Sequence, residues 1–203
     1  MKDFWNERYS EKEYVYGKKP NTYFQEKLDE LRPGRILLPA EGEGRNAVYA
    51  ARMDWEVFAF DISKEGKKKA RKLAREYKVD FDYQVGKLEE LDYKKEEFDA
   101  VALIFAHFPK DIREHYFQQF DKYLRPGGVV IFEGFSREQI EFQKQNPQSG
   151  GPKDAEMLYT KEELEAAFSG YKFEEFEELE VELEEGEYHK GKAAVIRFLA
   201  RKA

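Results

Sequence analysis

The chain has 203 residues, no cysteine and a net charge of −7 at neutral pH. That length suits one domain with a full core, and the lack of thiols excludes structural disulfides, thiolate metal sites and a cysteine nucleophile. The acidic balance argues against general nucleic-acid binding, whose affinity comes mostly from a positive surface.

The opening text MKDFWNERYSEKEY lacks the basic and apolar blocks of a signal peptide. The longest apolar run, near Ala100 to Phe108, is far short of a membrane span. The expected setting is therefore cytoplasmic, with no membrane partner.

The stretch ILLPAEGEGRNAVYAA (Ile36 to Ala51) comes next. Ile36 to Leu38 read as a short buried strand, and Ala47, Val48 and Ala51 stand at helical spacing, so Gly42 and Gly44 occupy a strand-to-helix turn. Such a turn lets backbone amides and a helix N-terminus approach a ligand closely. GEGRNA also fits the G-x-G-x-x-A dinucleotide fingerprint, so the turn alone does not choose between nicotinamide and adenosyl cofactors.

Further strands are predicted at Val57–Phe60, Phe81–Val85, Ala100–Phe105 and Val129–Phe132. They alternate with helices around Asn46–Arg52, Lys64–Tyr77 and Ile112–Leu124. This alternation specifies a parallel sheet with helices on both faces. Ser63 is placed to cap the second helix. The run Lys67, Lys68, Lys69, Arg71, Lys72 and Arg75 is a solvated face, with Ala70, Leu73, Ala74 and Tyr77 turned inward. LRPGG (Leu124 to Gly128) stops the third helix and turns the chain into its strand.

Beyond that strand a polar connection, QKQNPQSGGPKD (Gln143 to Asp154), leads to a short helix, Lys161–Phe168. Thr160 caps it, with Glu163 three residues later. Two long runs, Phe173–Leu183 and Ala193–Arg201, then read as an antiparallel hairpin at the sheet's edge. Asp61, nineteen positions after Gly42, ends the second strand where a carboxylate accepts the ribose hydroxyls of either cofactor.

AEGEGRNA (Ala40 to Ala47), FAFDIS (Phe58 to Ser63), FDAVALIFAHFP (Phe98 to Pro109) and YLRPGGVVIFEGF (Tyr123 to Phe135), followed by the hairpin, resemble the class I S-adenosylmethionine-dependent methyltransferases. YVYGKKPN (Tyr14 to Asn21) and EGRNA look like the small-molecule branch related to tellurite-resistance and thiopurine methyltransferases. The resemblance covers nearly the whole chain. It implies an α/β fold: a Rossmann-like, doubly wound, seven-stranded sheet, mostly parallel with a C-terminal antiparallel hairpin. It also implies S-adenosylmethionine as cofactor, a small-molecule methyl acceptor, no metal, and a single domain over 1–203 with residues 1–30 covering the cofactor site.

Carried over by motif, the cofactor contacts fall on Ala40, Glu41, Gly42, Gly44 and Asn46 of the turn, and on Asp61 and Ile62 after the second strand. Lys87 and Leu88 after the third strand, Phe105 after the fourth, and Tyr16 of the N-terminal segment complete the set. The sequence departs from the family at Leu38, where an acid usually helps hold the methionine amino group, at Ala40, usually glycine, and at Lys87, often an acid facing the adenine. Glu41, Glu43 or backbone carbonyls would then replace the missing acid.

His107, just past the fourth strand, is the candidate general base, in competition with a packing role beside Phe108 and Pro109. Tyr14, Tyr159 and His189 are candidate substrate contacts, each also fit to be a packing residue. The chain has no Asn/Asp-Pro-Pro-Tyr, which in the family serves methylation of planar amide or exocyclic nucleobase nitrogens. A nicotinamide-dependent oxidoreductase and a non-catalytic adenosyl-ligand sensor remain alternatives; the hairpin and LRPGG argue against the first.

Overall fold

The computed structural model describes residues 1–203. Strands β1 (Arg35–Pro39), β2 (Glu56–Asp61), β3 (Asp82–Val85), β4 (Phe98–Ile104), β5 (Leu124–Phe135), β6 (Tyr171–Glu184) and β7 (Lys190–Lys202) form one sheet in the order β3-β2-β1-β4-β5-β7-β6. β7 alone runs against the other six. This is the doubly wound α/β architecture with a terminal hairpin that the sequence predicts. The strand order reverses between β1 and β4, so a crevice opens outside the carboxyl ends of those two strands.

Alternation along each strand divides the core between the two faces of the sheet. Ile36 and Leu38 of β1 join Ala100 and Ala102 of β4 beneath helices α2 (Thr22–Asp29), α3 (Arg45–Arg52) and α4 (Lys64–Tyr77). Leu37, Val101, Leu103 and Phe132 face the other way, against Phe117 and Phe120 of α5 (Lys110–Tyr123). The predicted caps are present. Ser63 Oγ accepts the amide of Gly66 at 3.1 Å, and Thr160 Oγ1 accepts that of Glu163 at 3.2 Å to start α7 (Lys161–Ala167); each contributes about 1 kcal/mol.

Several local expectations are corrected. Tyr77 is 41% exposed and lies against the Arg52 guanidinium, because α4 ends at that residue and its last turn projects past the core. LRPGG does not precede the fifth strand but lies within it: Leu124 pairs with Phe98 and Val129 with Ala100, and the intervening residues bulge outward. The connection after β5 contains helix α6 (Gln139–Gln145) and short helical turns. Two helices the periodicity did not announce, α1 (Lys2–Tyr9) and α2, precede the sheet. No helix is long and apolar enough to cross a membrane.

Candidate active site at the switch point

The turn after β1 uses left-handed backbone three times, at Ala40 (φ 53°), Gly42 (φ 60°) and Gly44 (φ 85°). Gly44 caps α3, and a Cβ there would lie 2.5 Å from the Ala70 Cβ, so the close approach of α3 to α4 requires glycine. Ala40 occupies the same conformation with a Cβ, a local strain of about 1–2 kcal/mol. Ala47, the last letter of the fingerprint, is fully buried where α3 meets the sheet.

Asp61 closes this turn from β2. One carboxylate oxygen accepts the Gly42 amide at 3.1 Å and the other the Ser63 amide at 2.8 Å. Burial outweighs these bonds and pushes the carboxyl up to about 6. Tyr83 donates to the Gly42 carbonyl at 2.5 Å from below.

Glu41 takes the N-terminus of α3, accepting the Ala47 amide at 2.7 Å. Burial raises its carboxyl to about 7 against the opposing pull of that amide and of Arg45. No cation pairs with it: Arg45 is directed instead to Glu185, at 2.8 Å. Leu38, which stands where the family places its acid, is a buried core residue.

The N-terminal segment lies across this turn. Glu43 accepts the Val15 amide at 2.8 Å and pairs with Lys69 at 2.7 Å. Asn46 accepts the Asn21 amide at 2.9 Å, so its side chain holds the segment. Helix α1 brings Tyr9 against Gly42 and Gly66, and Asn6 Oδ1 accepts from Ser63 Oγ at 2.9 Å. Neither Tyr9 nor Asn6 was legible as a site residue, since α1 shows almost no apolar periodicity; only Tyr9 is buried.

Tyr16 packs its ring 4.5 Å from that of His189, and Phe105, left-handed at φ 50°, places its ring 4.5 Å from the same imidazole. Tyr14 leaves this cluster and donates to the Lys69 carbonyl at 3.0 Å. Ile62 is half-buried, Leu88 is in the core and Lys87 is exposed, its amide bonded to Glu90 at 2.9 Å.

Two of the candidates from the sequence lie elsewhere in function. Tyr159 is fully buried, donates to the Ala106 carbonyl at 2.5 Å and packs on Phe117 and Phe132, which makes it a core residue. His107 Nδ1 lies 2.8 Å from the Met157 carbonyl, which only accepts, so Nδ1 is the donor; Nε2 accepts the Phe135 amide at 3.2 Å. Burial holds this imidazole down at about 3. With both nitrogens engaged, it ties the β4 end to β5 and the following loop.

Beneath the N-terminal segment a polar network links distant parts of the chain. Asn21 Nδ2 donates to Glu133 at 2.7 Å and to Glu185 at 2.9 Å, and Glu133 pairs with Arg197 at 2.9 Å. Glu133 is fully buried, and separations of 64 to 164 residues hid the network from the sequence.

The methyltransferase domain family matches residues 36–128, which carry the turn, Asp61 and the first four strands. No curated protein sequence matches the chain. Among solved structures, one from work on conversion of a disulfide bond into a thioacetal group during echinomycin biosynthesis is 19% identical, with a TM-score of 0.75 over 100% of this chain and 92% of that one. TehB from Haemophilus influenzae is 13% identical, with a TM-score of 0.73 over 100% of this chain and 67% of that one. The magnesium protoporphyrin IX methyltransferase of Synechocystis PCC 6803, solved with bound S-adenosylhomocysteine, is 14% identical, with a TM-score of 0.70 over 100% of this chain and 98% of that one. Residues 36–128 therefore match a methyltransferase domain, and the chain as a whole has the Rossmann-like fold of solved S-adenosylmethionine-dependent methyltransferases.

Proposed function

We propose that the protein transfers the methyl group of S-adenosylmethionine to a small-molecule acceptor, as a member of the branch related to tellurite-resistance and thiopurine methyltransferases. The observation that carries this reading is Glu41, a carboxylate at the switch-point turn with no cationic partner in the protein. A ligand that brings an ammonium group to that turn supplies the missing charge. Glu41 thereby takes the place of the acid that the family usually has at Leu38.

The bound cofactor supplies an electrophilic methyl on a sulfonium. The chain's part is to bind, orient and exclude water, and alignment alone can supply much of such a rate. Asp61 has a lone pair remaining on each oxygen for the ribose hydroxyls; Gly42 lies under the Tyr9 hydroxyl and Gly44 seats α3 against α4, so both shape the turn. The half-buried Ile62 offers an apolar edge to an adenine. Tyr16 and Phe105 present aromatic faces beside the turn, which favour a sulfonium by about 0.5–2 kcal/mol. His107 is assigned to structure. The N-terminal cover held by Glu43 and Asn46 restricts the acceptor to small molecules.

Calorimetry with S-adenosylhomocysteine and NAD tests the cofactor, and methyl transfer to small nucleophiles against a folded protein and a long RNA tests the size limit. Binding of S-adenosylhomocysteine and transfer to small nucleophiles alone are the expected results. Binding of NAD alone overturns the reading.

A further inference from the structure

His189 stands at the tip of the β6–β7 hairpin, 6% exposed, walled by the rings of Tyr16 and Phe105 at 4.5 Å and of Phe135 at 5.2 Å. Its Nδ1 lies 3.2 Å from the Glu185 carboxylate. A carboxylate accepts and does not donate, so Nδ1 carries the proton and the lone pair resides on Nε2.

Glu185 is held in turn from two other elements, by Arg45 of α3 at 2.8 Å and Asn21 Nδ2 at 2.9 Å. Burial pushes this carboxyl up, but Arg45 and His189 prevail and bring it down to about 2, so it stays ionised.

Nε2 has no hydrogen-bond partner in the protein. Gly150, at φ 87°, packs close to the Cδ2–Nε2 edge of the ring, where a Cβ would come within 2.5 Å of Cδ2 and 3.2 Å of Nε2. Burial lowers the basicity of this imidazole as it does that of His107, but His189 differs from His107 in having a nitrogen lone pair left unused. It also touches Phe105 at the end of β4 and Tyr16 of the segment laid over the glycine-rich turn. The charged and titratable groups around it are Glu185, Arg45, Arg8 of α1, Tyr16 and, beyond Phe135, His107.

We propose that His189, through Nε2, is the general base that removes the proton from the acceptor's reacting atom, with Glu185 as the positioning residue that fixes its tautomer. This rests on the methyl-transfer reading above. The acceptor class that fits is a small, largely apolar or aromatic molecule carrying a hydroxyl or thiol that is protonated at neutral pH. In the step, a lone pair on the oxygen or sulfur forms the new bond to the methyl carbon and the carbon–sulfonium bond breaks with its electrons passing to sulfur. The proton of the hydroxyl or thiol moves to Nε2 and later to water. The logic is that of a histidine oriented by a carboxylate.

Two thiols separate proton removal from mere positioning: benzyl mercaptan, protonated at pH 7, and 4-nitrothiophenol, already ionised. Transfer from S-adenosylmethionine is measured with the intact protein, His189→Gln and Glu185→Gln, with S-adenosylhomocysteine affinity by calorimetry and melting for each. The expected result is a fall in kcat of about a hundredfold for benzyl mercaptan in both variants, the lower range for loss of a general base. Transfer to 4-nitrothiophenol and affinity for S-adenosylhomocysteine should change by less than about threefold. Equal losses with both thiols, no loss with either, or intact protein that methylates only the ionised thiol each overturns the base. An intact protein that binds no S-adenosylhomocysteine, or methylates neither thiol, overturns the reading on which the proposal stands, and the base falls with it.

Discussion

Glu43 and Lys69 form a 2.7 Å ion pair beneath the N-terminal segment, and the same carboxylate accepts the backbone amides of Val15 at 2.8 Å and Tyr16 at 3.4 Å. One side chain of the glycine-rich turn thus fastens the cover to α4. Replacing it leaves the Lys69 ammonium with the Glu13 carbonyl alone and two amides without an acceptor. Glu43→Ala should therefore lose about 3 kcal/mol, in the range for breaking a buried pair by removing one partner. Urea unfolding reads that loss, and hydrogen exchange at Val15 and Tyr16 should accelerate well beyond the global change. Equal exchange in both proteins would show that the cover is held by other contacts.

Asp61 accepts two backbone amides before any ligand arrives. Asp61→Ala should therefore cost stability of about 1–3 kcal/mol as well as affinity for S-adenosylhomocysteine. Asp61→Asn keeps the shape but turns an amide donor toward Gly42 or Ser63, and should weaken binding by about tenfold or more, since charged hydrogen bonds are each worth about 1.5–3 kcal/mol. Calorimetry at pH 8, with melting as the control for folding, checks both. Undiminished affinity in Asp61→Asn would remove the carboxylate from the ribose site.

Glu41 links binding to pH. Its carboxyl rises to about 7 through burial, so the folded state holds that proton more tightly than the unfolded chain does. The contribution to stability is therefore most favourable below the ordinary carboxylate range and declines as pH rises toward 7. A ligand ammonium needs the ionised form. Affinity for S-adenosylhomocysteine should fall by about tenfold per pH unit below 7 and level off above it, this single-proton slope following from the linkage of binding to ionisation. Glu41→Gln should flatten that dependence, leaving only the weaker contribution of Asp61 near 6. Calorimetry from pH 5.5 to 8.5 reads the slope, and an unchanged slope in Glu41→Gln would place the ammonium elsewhere.

The sheet was legible because buried parallel strands are short apolar runs, as in Ile36–Leu38 and Val57–Phe60, punctuated by glycine and capping residues. The turn and Asp61 were legible by spacing alone. α1 was not, because it buries only Tyr9 and so shows no apolar face; α2 buries Tyr23, Phe24 and Leu28 but has no strand before it to mark it as part of the alternation. The role of His107 depends on partners far along the chain, Met157 and Phe135, whereas Glu185 stands only four residues before His189 and is itself held by the distant Arg45 and Asn21. No local pattern distinguishes an imidazole with both nitrogens occupied from one with a nitrogen to spare. Ala40 was visible as a departure from a glycine position, but its left-handed backbone became evident only in the fold.

His107 supplies the last expectation. Its two nitrogens satisfy the Met157 carbonyl and the Phe135 amide, where β4, β5 and the loop before α7 converge. Removing the ring leaves those backbone groups unpaired and opens space between Tyr159 and Phe135. His107→Ala should destabilise the protein by about 1–3 kcal/mol, the cost of orphaned buried polar groups, while affinity for S-adenosylhomocysteine stays within about threefold because the turn and Asp61 are untouched. Its pH dependence has a definite sign. Burial holds the folded imidazole at about 3, below the ordinary histidine range, so the unfolded chain binds the extra proton first and stability is lost as pH falls from about 6.5 toward 3. In His107→Ala that portion of the acid sensitivity should disappear, which urea unfolding at a series of pH values between 4 and 7 can measure. If the variant instead retained full stability and lost only methyl transfer, the ring would belong to the reaction and not to the scaffold.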